Sequence, residues 1–389
     1  MIVGVVGKPN VGKSTFFKAL TLADAEIADF PFTTIKANIG VGYAKSICVD
    51  RKFSLNCKPK NSYCRSGFRF TPVKLIDVAG LVPGAHEGRG LGNQFLDDLR
   101  QADVLIHVID VSGRTDEKGE PASGHDPEDD IVFLKEEIDL WFASVIGKNL
   151  AKISSKVKYE SKDFVKELSG QLSGLQIKDS QIKEALKDAG FEAKADWSEE
   201  GIRKFAVRLR EISKPILIAA NKIDLDVGNY ERLKGRYEMV PVCAEAELAL
   251  READAKSLVS YIPGGGGFEV AGDLGEKQAK ALDFVRKRIL EKHGSTGVQD
   301  CLDRAVFSIL DRIVVYPVEN ENRLTDSKGN VLPDSYLLKR GSTAVDLAYA
   351  VHTDLGDKFI GAINCSTKMR VGREYILQDG DVIKIVSGR

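Results

Sequence analysis

No stretch of the 389-residue chain approaches the about 18 consecutive apolar residues a membrane-spanning helix requires, so a helical membrane protein is excluded. An excess of positive charge is missing too: 56 Lys and Arg face 57 Asp and Glu, and the pI is about 6.6. Domains whose whole surface holds nucleic acid usually lie above about pI 9, so that class is excluded and no DNA partner is expected. Only a local basic patch stays open. Cysteine is sparse, with six residues, and the opening run Met1-Ile2-Val3-Gly4-Val5-Val6-Gly7 has no basic segment of the kind that starts a secretory signal. The run is expected to be the first core strand, the thiols reduced and the protein cytoplasmic. Neither an internal repeat nor a low-complexity tail is present. Hydrophobic residues make up 43% and charged residues 29%, which excludes wholesale disorder. At about 100–200 residues per domain, the length predicts two to four domains.

The first 110 residues alternate short Val- and Ile-rich runs with Gly-rich turns and helical patterns. Strands are expected at 2–6, 72–76 and 104–109, with helices at 14–20 and 93–100. Apolar strands without polar alternation belong to parallel sheets buried on both faces, so the class is α/β with a mainly parallel sheet. The next such strand, 215–220, comes far later than the about 30 residues a βαβ unit needs. Between them Leu150, Ile153, Val157, Phe164, Leu168, Leu172 and Leu175 recur at helical spacings, which predicts a helical, coiled-coil-like insertion, a long hairpin within 127–211. Residues 148–168 hold six Lys and three acids, a pattern that reads more simply as a solvated helix face than as an arm for a polyanion. A further strand is expected at 239–243 and helices at 276–292 and 298–310. The run Pro263-Gly264-Gly265-Gly266-Gly267 lacks a following Lys-Ser/Thr and reads as a loop or hinge, not a phosphate loop. Beyond residue 310 the pattern becomes a small α+β unit, with strands at 312–318, 358–363 and 382–386 and a helix at 344–351.

Three motifs carry chemistry. Gly7-Lys8-Pro9-Asn10-Val11-Gly12-Lys13-Ser14 fits G-x-x-x-x-G-K-[ST] between a strand and a helix. Its glycines let backbone N–H groups wrap a phosphate, and the helix N-terminus adds partial positive charge. Lys13 would reach the β- and γ-phosphates and Ser14 would bind Mg²⁺, with Asn10, Val11, Gly12 and Thr15 completing the loop's binding set. Asp77-Val78-Ala79-Gly80 follows the second strand, where Asp77 can hold Mg²⁺ through water and the Gly80 backbone can sense the γ-phosphate. Asn221-Lys222-Ile223-Asp224 follows the strand at 215–220, and an Asp there can accept the N1 and N2 donors of guanine, a pair adenine lacks.

The set resembles translation-factor-class P-loop GTPases. The run Phe30-Pro31-Phe32-Thr33-Thr34, with Asp77-Val78-Ala79-Gly80-Leu81-Val82, resembles the Obg family, and Gly88-Arg89-Gly90-Leu91-Gly92-Asn93-Gln94-Phe95-Leu96 the Obg-like YchF subfamily, in its archaeal branch. The resemblance spans essentially the whole chain. It implies a G domain in two parts, 1–114 and 213–309 with linker helices, a helical insertion at 115–212, and a TGS-like β-grasp domain at 310–389. It implies that Thr34 binds Mg²⁺ and reports the γ-phosphate, that Cys243-Ala244-Glu245 forms the final base-contacting loop, and that Asn10 marks K⁺-dependent members. Lys13, Thr34 and Gly80 are the implied catalytic set. GTP and GDP would be the ligands, and the ribosome or a translation-associated RNA or protein the partner, with no membrane involved.

Two features depart from relatives. Leu81 stands where Ras-like proteins carry the glutamine that orients water; leucine has no hydrogen-bonding atom, so slow intrinsic turnover is expected, where even Ras-type rates are on the order of 10⁻⁴ s⁻¹. Many YchF relatives carry Glu at the last position of the base motif and accept ATP, whereas Asp224 argues for GTP. The rival readings are a YchF-type ATPase and a nucleotide-gated RNA- or protein-binding scaffold.

Weaker signals remain. Cys48, Cys57 and Cys64 could ligate Zn²⁺ with a fourth ligand from elsewhere, but their spacing matches no common zinc motif and no histidine is near, so the residues alone favour ordinary thiols. His107 sits in an apolar run and reads as core. His86, in the loop after Leu81, could approach the γ-phosphate or simply be an exposed loop residue. Lys368, Arg370 and Arg373 cluster near the C-terminus, yet residues 310–389 hold eleven basic and eleven acidic side chains, which suits modest local contact with RNA.

Overall fold

The structure, a computed structural model of the chain, describes residues 1–22, 38–78, 92–160, 163–191 and 197–388. In chain order the elements are β1 (Ile2–Val6), α1 (Lys13–Thr21), β2 (Ile39–Ile47), β3 (Tyr63–Arg65), β4 (Phe68–Asp77), α2 (Gly92–Gln101) and β5 (Val104–Asp110). There follow α3 (Pro127–Glu160), α4 (Phe164–Gln171), α5 (Asp179–Ala189), α6 (Glu199–Ser213), β6 (Ile216–Asn221), α7 (Gly228–Leu233), β7 (Met239–Pro241) and α8 (Ala244–Ala255). Then come β8 (Val259–Tyr261), β9 (Phe268–Val270), α9 (Glu276–Val285), α10 (Glu291–His293) and α11 (Val298–Asp303). The last are β10 (Arg312–Val318), β11 (Tyr336–Lys339), α12 (Ala344–Val351), α13 (Thr353–Asp357), β12 (Phe359–Asn364), β13 (Met369–Val371) and β14 (Val382–Ser387). These residues form two compact units: Met1–Ala19, Leu75–Leu248 and Lys277–Val298 make the first, and Leu20–Lys74, Ala249–Glu276 and Gln299–Arg389 the second.

In the first unit the strands run in the order end of β4, β1, β5, β6, β7, with β1–β5, β5–β6 and β6–β7 parallel. Every residue of β5 is buried, as a strand covered on both faces must be. His107 lies inside it; burial, reinforced by Lys135 and Lys8, holds its imidazole down at about 3, so it is neutral core. Because the strands are parallel and Asp110 pairs in register with Asn221, the carboxyl ends of β1, β4, β5 and β6 open onto one edge.

The insertion between β5 and β6 is helical. Along α3, Ile131, Leu134, Ile138, Trp141, Phe142, Ile146, Leu150 and Ile153 are buried at three- and four-residue spacings, a continuous apolar stripe. That stripe packs on α6, which adds Phe205, Ala206 and Leu209 and ties buried Arg210 to Asp139 at 2.8 Å. Glu128, Asp129 and Asp130 in the first turn of α3 complement its dipole. Asp163 and Ser198 cap α4 and α6 by accepting from the N–H groups of Lys166 and Gly201.

The second unit carries a mixed sheet in the order β11–β10–β14–β12–β13, in which only the β10–β14 pair is parallel. Alternation along β10 supplies two cores. Ile313 and Val315 face one way and pack with Ala344, Leu347, Ala362, Leu377 and Ile383. Val314, Tyr316 and Val318 face the other way and are covered by Val49, Phe53, Leu55 and Cys57 from the segment after β2. The glycine run at 263–267 is the loop of the β8–β9 hairpin, with Gly264 at φ +67°, so it is a turn and not a phosphate loop.

Candidate nucleotide site

The loop joining β1 to α1 wraps closely because its glycines leave no room for a side chain. A Cβ at Gly7 would lie 2.5 Å from the Val108 carbonyl oxygen, and one at Gly12, where φ is +93°, would collide with Nδ2 of Asn221. Asn10 also adopts a left-handed φ of +62° and donates from Nδ2 to the Gly119 carbonyl at 2.9 Å. The two lysines of the loop have different surroundings. Lys8 is buried and bonds to the Asp130 carboxylate at 2.8 Å and the Thr115 carbonyl at 3.0 Å. Lys13 opens the nine-residue helix α1 and pairs with Asp77 at the end of β4. Ser14 stands exposed in the first turn of the same helix. Backbone N–H groups, an ammonium, a hydroxyl and a carboxylate are thus gathered at the edge where parallel strands deliver a phosphate-binding site. Ser14 and Asp77 offer hard oxygen donors of the kind a Mg²⁺ ion could take.

Asn221 ends β6 and is buried at 3% exposure. Its Nδ2 donates to the Val11 carbonyl at 2.8 Å, and its Oδ1 accepts from the Ala244 N–H at 3.0 Å. One side-chain amide therefore joins the phosphate loop, the base motif and the start of α8. Lys222, at φ +63°, reaches back to the Asn10 carbonyl at 2.9 Å and to Asp110 at 2.8 Å. Asp110 also accepts from Ser112 Oγ at 2.6 Å and Thr115 Oγ1 at 3.0 Å. Burial pushes the Asp110 carboxyl up, but Lys222 and these donors outweigh it and hold it below the usual range, so it stays ionised.

Asp224 is half-buried and accepts from the thiol of Cys243 at 3.3 Å. Burial first, and then the Asp224 charge, push that thiol well up, so it stays protonated and can donate. The Cys243 N–H donates to the Thr296 carbonyl at 2.9 Å and the Val242 N–H to the Ala220 carbonyl at 2.9 Å, which sets the loop beside β6. Glu245 lies in the first turn of α8.

Of the residues singled out from the sequence, the structure brings Asn10, Val11, Gly12, Lys13, Ser14, Asp77, Asn221, Lys222, Asp224, Cys243 and Ala244 into this connected set. Thr15 follows in α1. Thr34, Gly80, Leu81 and His86 lie outside the described residues. Asp110 was missed, although an acid ending an apolar parallel strand is the same signal that marked Asp77.

Family models match in three places: a 50S ribosome-binding GTPase model over residues 2–136, an Obg-like GTPase YGR210-like, G4 motif-containing domain over 219–320, and a TGS domain over 326–387. A GTP-binding protein of Methanocaldococcus jannaschii is 50% identical over 99% of both chains. The ribosome-binding ATPase YchF of Bacillus subtilis is 30% identical over 98% of both. The chain belongs to the Obg-like, YchF-type family of GTP-binding proteins. A crystal structure of a GTP-binding protein from Pyrococcus horikoshii OT3 is 39% identical, covers 100% of each chain and superposes with a TM-score of 0.80. This Obg-like protein is a P-loop nucleotide hydrolase: the GTPase model spans β1 to the start of α3, with the loop between β1 and α1 inside it, and the TGS model spans β11 to β14. Among the described residues no helix is long and apolar enough to cross a membrane.

Proposed function

We propose that the protein is a GTP-selective switch that hydrolyses GTP slowly. The observation that carries this reading is the clasp made by Asn221, which holds the phosphate loop against the loop that presents Asp224. Asp224 accepts the paired N–H donors of guanine, and the Cys243 thiol orients it by occupying one carboxylate oxygen. The Ala244 backbone lies beside the guanine oxygen, while Lys222 braces Asn10 and Asp110 beneath the base. Lys13 and the N–H groups of residues 10–15 hold the phosphates. Ser14 and Thr34 would hold Mg²⁺, and Asp77 would reach it through water. Bound there, the ion would supply charge neutralisation at the β- and γ-phosphates. The Asn10 amide nitrogen is held by Gly119, which leaves its oxygen to turn toward a K⁺ ion. Thr34 and Gly80 sense the γ-phosphate, and its loss releases both.

The same reading divides the chain into G-domain parts 1–114 and 213–309, an insertion at 115–212 and a TGS-like domain at 310–389. The Bacillus relative's name states ribosome binding, and we carry that partner and a cytoplasmic site of action to this chain. The test is co-sedimentation of the full chain with ribosomes. Pelleting should be strong with a non-hydrolysable GTP analogue and weak with GDP, and Lys13→Ala should abolish the difference. Equal pelleting in every nucleotide state would make the protein a scaffold and not a switch.

A further inference from the structure

Cys48, Asp50, Cys57 and Cys64 all lie in the segment between β2 and β4, and the fold brings one ligand atom from each within 4.8 Å of every other. Cys48 Sγ lies 3.8 Å from Cys57 Sγ, and Asp50 Oδ2 lies 3.1 Å from Cys57 Sγ and 3.8 Å from Cys64 Sγ. An ion with four tetrahedral bonds of about 2.3 Å to sulfur sets its sulfurs about 3.8 Å apart, and one bond of about 2.0 Å to oxygen sets that oxygen about 3.5 Å from each sulfur. The Cys48–Cys57 separation matches the sulfur edge, and the two Asp50 separations fall either side of the oxygen edge. A disulfide would need about 2.05 Å, and none of these cysteines is bonded to another.

The surroundings fit an ion and not a set of idle thiols. Asp50 is 9% exposed, and its Oδ1 is buried with no hydrogen-bond partner. A buried carboxylate served only by weak S–H donors is costly unless a cation offsets it. Three of the four donors are also held from their backbone. The Cys48 N–H donates to the Gly67 carbonyl at 2.9 Å, the Asp50 carbonyl accepts from Leu55 at 2.9 Å, and Cys64 on β3 pairs in register with Arg69 on β4. Arg69 is fully buried, donates to Ser62 Oγ and the Leu332 carbonyl, and acts electrostatically on Cys48 and Cys57. Three thiolates, a carboxylate and a divalent ion sum to −2, and the guanidinium offsets part of that charge.

We infer that Cys48, Asp50, Cys57 and Cys64 form a structural Zn²⁺ site. A majority of soft thiolates disfavours Mg²⁺ and Ca²⁺, and four protein donors close the coordination shell, so the site holds structure and performs no chemistry. What it holds is plain from the packing. Val49, Phe53, Leu55 and Cys57 cover the second face of the C-terminal sheet, and the N–H groups of Lys58 and Lys60 donate to the Val331 and Pro333 carbonyls at 2.8 and 2.7 Å. Too short to form a core of its own, the segment gains a fixed shape from the metal and lends it to the TGS sheet.

The experiment is metal analysis of the full chain, supplied with zinc and then dialysed against a weak chelator. About one zinc per chain is expected, with X-ray absorption showing three sulfurs and one oxygen. Cys57→Ser and Cys64→Ser should each lower zinc more than about tenfold, while Cys301→Ser, a buried cysteine outside the cluster, should keep it. Should the serine variants fail to fold, Asp50→Cys keeps the test open: it should retain zinc and change the first shell to four sulfurs. Wild-type protein well below stoichiometric zinc after supply would overturn the inference. So would a Cys57→Ser/Cys64→Ser double variant that retains the metal, or an Asp50→Cys first shell unchanged from wild type.

Discussion

Asn221→Ala removes one buried amide and separates three loops at once. The Val11 carbonyl loses its donor and the Ala244 N–H loses its acceptor. A buried polar group left without a partner costs about 1–3 kcal/mol. Lys222 and Asp224 beside the position are only half-buried, so water can partly repair both sites, and the lower quarter of that range applies. Two groups at about 1–1.5 kcal/mol give a loss of about 2–3 kcal/mol. Folding survives such a loss, since domains usually hold about 5–15 kcal/mol. Nucleotide binding needs all three loops in register, so the same free energy sets a loss of affinity of about 30- to 150-fold. A fluorescent GTP analogue titrated against wild type and variant measures it, with circular dichroism to show that both are folded. Asn221→Asp is the sharper companion. It keeps an acceptor for Ala244 but turns a carboxylate toward the Val11 carbonyl, so it should bind no better than the alanine variant. A loss under about threefold in Asn221→Ala would refute the clasp.

Gly12→Ala should abolish nucleotide binding in a folded protein, because the methyl meets Asn221 Nδ2 and φ is +93°; binding within about threefold of wild type would show that the loop can shift. A pH effect is expected in the second unit. Loss of hydration pushes the Asp303 carboxyl up to about 7, against the pull of the Lys45 N–H and the Gln299 amide. Between about pH 4 and 7 the folded chain then keeps a proton that the unfolded chain has lost, so this group's contribution to stability falls as pH rises through that window. Asp303→Asn should gain in urea midpoint relative to wild type at pH 8 compared with pH 4.5, and an equal difference at both would contradict the reasoning.

Elements with strong local signals are legible in the sequence. The strand at 312–318 and the helix at 344–351 appear with the same bounds, the helix because Thr343 and Asp346 make a capping box ahead of an apolar run. The insertion was legible from the length between β5 and β6. In contrast, β2 was missed because Gly40, Gly42, Lys45 and Ser46 blur its alternation, and β3 and β13 have only three residues each, too few for any period. The site divides in the same way. Motifs named the groups that meet the nucleotide, but the contacts that orient them cross the chain: Asn221 to Val11 spans 210 positions and Lys222 to Asp110 spans 112. The three cysteines were visible, yet Asp50 was not, since only the turn after β2 brings its carboxylate to their sulfurs.

The measurement that tests the account most directly is a paired titration of GTP and ATP against the full chain, with Mg²⁺ and K⁺ present, for wild type and Asp224→Glu. A marked preference of the wild type for GTP, lost in the variant, is the expected result. ATP bound as tightly as GTP by the wild type, or a preference that Asp224→Glu leaves unchanged, would contradict the role given to Asp224 and make the protein an ATPase.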